Sequence, residues 1–176
     1  MTRRISLLGA VLACALTLVG CGGSDSPSSS PTPTQSFAGP TMPAQAQGGD
    51  RNGAKAFVSF WVETLNFATD SGDTEGLKAL STKECEACTG FAQTLDEIYG
   101  KGGRVDSGGW TVSAAVPIAD QPENETAFQL RLELKPQKVY ESKDAKPKKY
   151  PGGEQGARII LIREDDHWLV KRVDLA

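Results

Sequence analysis

The apolar residues of this chain change their spacing once, just after residue 103, and no other feature restricts the available folds so much. Before that point Ala54, Phe57, Val58, Trp61, Val62, Leu65 and Ala68 recur at helical spacing, and Phe60 and Phe67 widen the stripe. Gly72 suits the stop of that helix, and Asp73 the cap of a second, short helix running to about Leu80. Ser81 with Glu84 three residues on has the form of a capping box. It predicts a third helix in which Cys85, Cys88, Phe91, Ala92, Leu95, Ile98 and Tyr99 share a face, ended by Gly100, Gly102 and Gly103. Beyond these glycines the period is two. Trp110, Val112, Ala114 and Val116 alternate with small or polar residues until Pro117 breaks the run. Phe128, Leu130, Leu132 and Leu134 alternate with Gln129, Arg131 and Glu133, as in a sheet with one wet face. Arg158 to Arg163 encloses four branched apolar residues, and Trp168 to Val173 follows a turn at Asp165-Asp166. Helices first and antiparallel strands afterwards predict an α+β domain: three N-terminal helices packed on a bent antiparallel sheet of about four strands.

The N-terminus carries an address. Arg3 and Arg4 precede Ile5 to Val19, fifteen residues that are almost all apolar or small. That stretch is short of the roughly 20 residues a membrane-spanning helix needs, and it fits a secretory signal segment over residues 1–20. Leu18-Val19-Gly20-Cys21 resembles the lipobox of bacterial lipoprotein signal peptides, in which the cysteine receives a diacylglyceryl group and becomes the first mature residue. Gly20 leaves room at the scissile bond, and the Cys21 thiol is the lipid carrier. The expected location is therefore the extracytoplasmic face of the cell membrane, with the lipid on Cys21 as the membrane contact.

Residues 21–52 read as the lipidated cysteine and a tether. From Gly22 to Asn52 there are 31 residues, 16 of them Gly, Ser or Pro, and Phe37 and Met42 are the only large apolar ones. Such a segment buries too little to order itself and spans roughly 30 Å as a coil. Residues 53–176 remain for one globular domain.

Charge and cysteine content narrow the chemistry. The chain has 19 basic and 22 acidic residues, net −3, which argues against a nucleic-acid partner. Loss of Arg3 and Arg4 on cleavage leaves 17 basic residues against 22 acidic, net −5. With His167 the single histidine, His-based metal sites and Ser/His/Asp triads are disfavoured, and no metal or cofactor is expected. Cys14 leaves with the signal segment, so Cys85 and Cys88 are the pair left to oxidise outside the cytosol. Glu84 and Glu86 oppose a lowered thiolate pKa there. A local disulfide clipping the start of the third helix is the favoured reading, with a redox dithiol as the alternative.

The run Ala56-Phe57-Val58, Asn66-Phe67-Ala68, Gly72-Asp73-Thr74, Leu77, Leu80-Ser81 and Cys85-x-x-Cys88 resembles an uncharacterised lipoprotein family of high-GC Gram-positive bacteria, domain of unknown function 6318. Gly-Asp after the first helix and a short second helix are also similar to the cone-shaped α+β superfamily of nuclear-transport-factor-two-like proteins, ketosteroid isomerases and SnoaL-like cyclases. The resemblance covers about residues 54 to 173 and implies a cystatin-like or SnoaL-like cone. That superfamily usually places a short strand or hairpin between the second and third helices, where this chain has Ser81 to Glu84 alone, so the resemblance implies a truncated cone. The lipoprotein family has no activity to carry over, and fold by itself supplies none.

Cone enzymes commonly use a carboxylate base inside the pocket, with Tyr or His donors. Asp96, Asp106 and Glu133 are the candidates, with Tyr99, Tyr140 and His167 beside them. Glu133 lies on the wet phase of its strand, Asp96 precedes Glu97 on a polar helix face, and His167 sits in a turn. These do not make a catalytic constellation. Trp61, Tyr99, Trp110 and Trp168 fall on apolar phases and either line a ligand pocket or fill the core. Six lysines between Lys135 and Lys149 read as a solvated basic loop, with anionic lipid or cell-wall polymer as the alternative contact. The expected role is non-catalytic binding, of an envelope protein or a small apolar ligand. An isomerase or cyclase is the competing class, and thiol redox chemistry stands third.

Overall fold

Asp50 starts the first helix. In the computed structural model, which describes residues 39–176, its carboxylate accepts a hydrogen bond from the Gly53 amide at 2.8 Å, satisfying one of the helix's unpaired donors. α1 runs Arg51–Ser71 and buries Ala54, Phe57, Val58, Phe60, Trp61, Val62, Leu65 and Ala68. It ends at Gly72, whose φ of 77° is left-handed and whose amide donates to the Ala68 carbonyl. α2 follows over Glu75–Ala79, with Leu77 wholly buried. Thr74, not Asp73, precedes its first residue, and the Asp73 carboxylate accepts from the Glu75 amide at 3.2 Å. α3 spans Glu86–Gly100.

The expected capping box does not form. The α3 N-cap is Cys85, and the Ser81 hydroxyl instead donates to the Leu77 carbonyl at 3.0 Å and accepts from the Trp61 indole at 3.3 Å. Seven strands are described: β1 Arg104–Ser107, β2 Trp110–Ile118, β3 Glu125–Leu134, β4 Gln137–Tyr140, β5 Lys148–Tyr150, β6 Gly153–Glu164 and β7 His167–Leu175. The larger sheet has the order β2-β3-β6-β7, so β7 is an edge. The Val170 amide donates to the Leu80 carbonyl and the Val170 carbonyl accepts from the Thr82 amide, both at 2.9 Å. Ser81 is thus drawn into a single parallel bridge with Val170, which satisfies edge groups that a local cap would leave open.

The α+β class and the helix count match expectation, while the strands are more numerous. The four expected strands are β2, β3, β6 and β7, all antiparallel neighbours. A second sheet, β1-β4-β5, was not anticipated. Its strands are only three or four residues long, too short to show an alternation that can be read. The segment from Lys135 to Lys149 is therefore partly a hairpin, not wholly a loop.

Two bulges bend the larger sheet. Val112 faces Leu132 but Ala114 faces Arg131, leaving Ser113 as the extra residue. Beyond it the phase inverts: Ala115 stands opposite inward-facing Leu130, and Val116, expected on the core face, is 59% exposed opposite Gln129. The strand also continues through Pro117, which an edge strand tolerates. In β7 the extra residue is Lys171, between Val170 and Arg172. The β6–β7 turn at Asp165 and Asp166 has φ of 45° and 65°, the primed geometry of a two-residue hairpin.

Helices and larger sheet enclose the core, where Phe57, Val58, Leu77, Phe128, Ile159, Leu161 and Val170 are fully buried. Asn66 docks α1 to β2 by pairing with Trp110 as a strand would: its amide donates to the Trp110 carbonyl at 2.9 Å and its carbonyl accepts from the Trp110 amide at 2.8 Å. The ordered fold also begins before residue 53. Ala44–Gln47 forms a 3-10 turn, Ala46 is buried in the core, and the Trp168 indole donates to the Gly48 carbonyl at 2.7 Å. Part of the expected tether is thus laid against the domain, because Met42 and Ala46 find apolar partners there. Gly53 permits this approach, since a Cβ on it would lie 2.0 Å from the Gly48 oxygen. The signal segment, Cys21 and the tether through residue 38 lie outside the described residues.

Candidate functional site

The four aromatic residues proposed for a pocket are structural. Trp61 and Trp168 are buried, with indole N–H groups spent on Ser81 and Gly48. Trp110 meets Phe91 edge-on at 6.1 Å, and Phe91 leans on Trp61 at 6.5 Å between ring centroids. Tyr99 donates to the Thr69 carbonyl at 2.7 Å and accepts from the Val105 amide at 3.5 Å. Burial holds its phenol above the ordinary tyrosine range. The five described clefts are lined by other residues. The expectation of a pocket at these aromatics is not met among the described clefts: Trp61, Tyr99 and Trp168 spend their side-chain polar atoms on Ser81, Thr69 and Gly48, and the Trp110 ring packs on Phe91.

Cys85 and Cys88 are joined in a disulfide, with Cα atoms 5.2 Å apart. Cys85 has no exposed surface and Cys88 only 3%. The Cys85 sulfur accepts from the Cys88 amide at 3.3 Å, so the bridge also caps α3. Thiol exchange requires an incoming thiolate to reach a sulfur. Both sulfur-bearing residues are covered, which suits a clip holding the α3 start against the core.

The acid, tyrosine and histidine candidates do not converge. Asp96 accepts from the Thr74 hydroxyl at 2.7 Å and from Lys78 at 3.0 Å at the surface. The Thr74 hydrogen bond foremost, then Lys78, holds its carboxyl below the usual range, and the same pair raises Lys78. A carboxylate held down in this way is a poor general base. Asp106 is engaged by Arg104 at 3.0 Å, and the Arg104 guanidinium lies 3.7 Å over the Tyr140 ring. Glu133 is exposed, as is His167 at the β6–β7 turn. Among the described residues no three His, Cys, Asp or Glu side chains form a group able to hold a metal ion.

What the structure adds is at the surface. A cleft of about 610 Å³ opens at the smaller sheet, lined by Asp106, Pro136, Lys138, Lys149, Tyr150 and Pro151 among others. A second, of about 500 Å³, lies where Pro40 and Met42 cross Phe60, Thr64 and Leu80. The first was missed because it needs Pro136 and Pro151, at the two ends of a hairpin, to face each other. The lysine run was its one visible signal.

These features define a class: an α+β domain with an occupied interior, whose exposed polar groups and clefts lie on the outside. The chain belongs to a family of unknown function (DUF6318), matched over residues 24–174. No curated protein matches it. Among solved structures, the intermembrane space region of the chloroplast protein ARC6 is similar at 14% identity and a TM-score of 0.55, covering 72% of this chain and 95% of that one. An NTF2-like protein with a cystatin-like fold from Novosphingobium aromaticivorans is similar at 14% identity and a TM-score of 0.42, with coverages of 73% and 91%. A protein from Xanthomonas campestris named for a calcium/calmodulin dependent protein kinase II association domain is similar at 10% identity and a TM-score of 0.45, with coverages of 78% and 91%.

Proposed function

We propose that this protein is an extracytoplasmic lipoprotein, anchored through a diacylglyceryl group on Cys21, whose domain binds an envelope partner through its outer surface without catalysing a reaction. The observation that carries the binding half is the interior. Phe57, Trp61, Phe128, Leu161 and Trp168 are buried together in one apolar core, and none of them lines a described cleft. Asp96, Asp106 and Glu133, the acids weighed above as bases, are at the surface. The anchoring half rests on Arg3-Arg4, the apolar segment to Val19 and Leu18-Val19-Gly20-Cys21. Two acyl chains on one cysteine are enough for stable anchoring.

Mass spectrometry of the full chain from membranes tests the anchor: the expected product starts at Cys21 with the lipid mass attached, and Cys21→Ala abolishes it. Native mass spectrometry after exposure to an envelope extract tests the filled interior. A bare protein mass is expected, and a reproducible small-molecule adduct retained through washing would overturn it.

A further inference from the structure

The cleft of about 500 Å³ beside α1 and α2 is apolar, and it lies where the described chain begins. Pro40, Met42, Phe60, Ala79 and Leu80 give it carbon-rich walls. The hydroxyl in the wall, on Thr64, already donates to the Phe60 carbonyl at 3.0 Å, and Glu75 is paired with Lys78 at 3.3 Å. What the cleft offers an occupant is therefore apolar surface. Ala79 is exposed, and Met42 and Leu80 are half-buried. Phe67, also half-buried, follows Thr64 on the same side of α1 and lengthens the apolar ridge.

We infer that this cleft is the seat of Phe37, from the chain's own tether. Between Cys21 and Met42, Phe37 is the one large apolar residue. It stands three residues before Pro40, which lines the cleft, and three residues reach roughly 10 Å at full extension. Tethered that closely, the ring faces the cleft at an effective concentration on the order of millimolar. Covering an aromatic ring is favourable, and closing so short a loop costs little entropy. A foreign apolar segment has to compete with this built-in ligand. The acyl chains expected on Cys21, 19 residues before Pro40, have a bilayer to enter instead. Docking of Phe37 continues the strap that Met42 and Ala46 already lay against the domain. It also shortens the free leash to residues 22–36, roughly 20 Å as a coil against roughly 30 Å for the whole tether. The docking goes beyond the anchored-binding reading above and does not depend on it; only the leash length does.

The test uses the protein recovered from membranes and held in phosphatidylcholine nanodiscs, since detergent would itself enter an apolar cleft, with the full-length Cys21→Ala protein in buffer beside it. Hydrogen exchange of the amides of residues 37–41 is the first readout. Phe37→Ser is expected to speed it about tenfold or more, and Phe37→Leu about threefold or less, with the α3 amides unchanged in both. Ala79→Glu leaves Phe37 intact and places a charge at an exposed position of the cleft wall, so it is expected to act like Phe37→Ser. The second readout is photo-crosslinking from p-benzoylphenylalanine at position 37, expected to land within the same chain on Phe60, Phe67, Ala79 or Leu80. Equal exchange in the parent and in Phe37→Ser overturns the inference, as does an Ala79→Glu protein that exchanges like the parent. Crosslinks to a second copy or scattered over the domain overturn it too. Protection present in the nanodisc sample and absent from Cys21→Ala would make an acyl chain the occupant, which also overturns it. Slow exchange and crosslinks to the cleft in a chain that proves to carry no lipid would leave the Phe37 seat standing and overturn the anchor alone.

Discussion

Gly72→Ala tests the joint between the helices and the smaller sheet. The residue has φ of 77°, where any side chain meets its own backbone at about 1–2 kcal/mol. A second penalty comes from packing. A Cβ at this position would stand 2.4 Å from Cγ of Tyr99, 2.6 Å from Cδ1 and 2.9 Å from Cδ2. The ring has little freedom to yield, because its hydroxyl is tied to the Thr69 carbonyl at 2.7 Å and to the Val105 amide at 3.5 Å. Forcing one carbon into a filled site costs about 1–3 kcal/mol. The sum, about 2–5 kcal/mol, is a large part of the roughly 5–15 kcal/mol that holds a domain together. At about 4 °C per kcal/mol for a domain of this size, Tm should fall by some 8–20 °C. Thermal and urea denaturation followed by tryptophan fluorescence measure it.

A double-mutant cycle separates the two penalties. In a Tyr99→Ala background the clash is gone and the backbone penalty remains, so Gly72→Ala should cost only about 1–2 kcal/mol there. Equal costs in both backgrounds would show that the ring is not the obstacle. A Tm change of under about 2 °C in the parent would refute the whole account of this position.

Asn66→Asp replaces the donor that holds the Trp110 carbonyl at 2.9 Å with an acceptor, and is expected to destabilise by about 1–3 kcal/mol in urea denaturation. An unchanged midpoint would mean that α1 is not docked to β2 through this pair. Asp96 supplies a pH dependence. Its folded carboxyl is held down by Thr74 first and Lys78 second, so its contribution is present above the ordinary carboxylate range and is lost as pH falls through and below it. Thr74→Ala should raise the Asp96 pKa in carbon-detected NMR titration, and Asp96→Asn should flatten that limb of the acid stability curve; no shift on removing Thr74 would exclude the hydroxyl as the cause. Cys85 and Cys88, both covered, should resist thiol labelling after mild reductant treatment of the folded protein and react only on unfolding. Replacing both by alanine should cost about 2 kcal/mol on the chain-entropy account of a short loop, and fast labelling under native conditions would argue for exchange chemistry instead.

The sequence shows most clearly what depends on neighbours three or four residues away. The stripe from Ala54 to Ala68, the stop at Gly72 and the turn at Asp165-Asp166 were all legible, because helix faces, left-handed caps and primed hairpins are local. The misses share a different cause. Ser81 satisfies a capping box on paper, yet the open edge of β7 offers the adjacent backbone hydrogen bonds at 2.9 Å, and the chain takes those. Val116 belongs to an unbroken alternation until Ser113 is counted as an extra residue, a choice made by the β2–β3 pairing and invisible in β2 alone. The candidate site follows the same rule at larger scale. Six lysines announce a charged surface, but whether two of them repel one another across a strand pair depends on register. That register sets Lys138 against Lys149 while Lys148 falls opposite Val139 and reaches Glu141. One residue of slip would exchange which lysines are compensated, so the unpaired couple is a property of the hairpin and not of its composition.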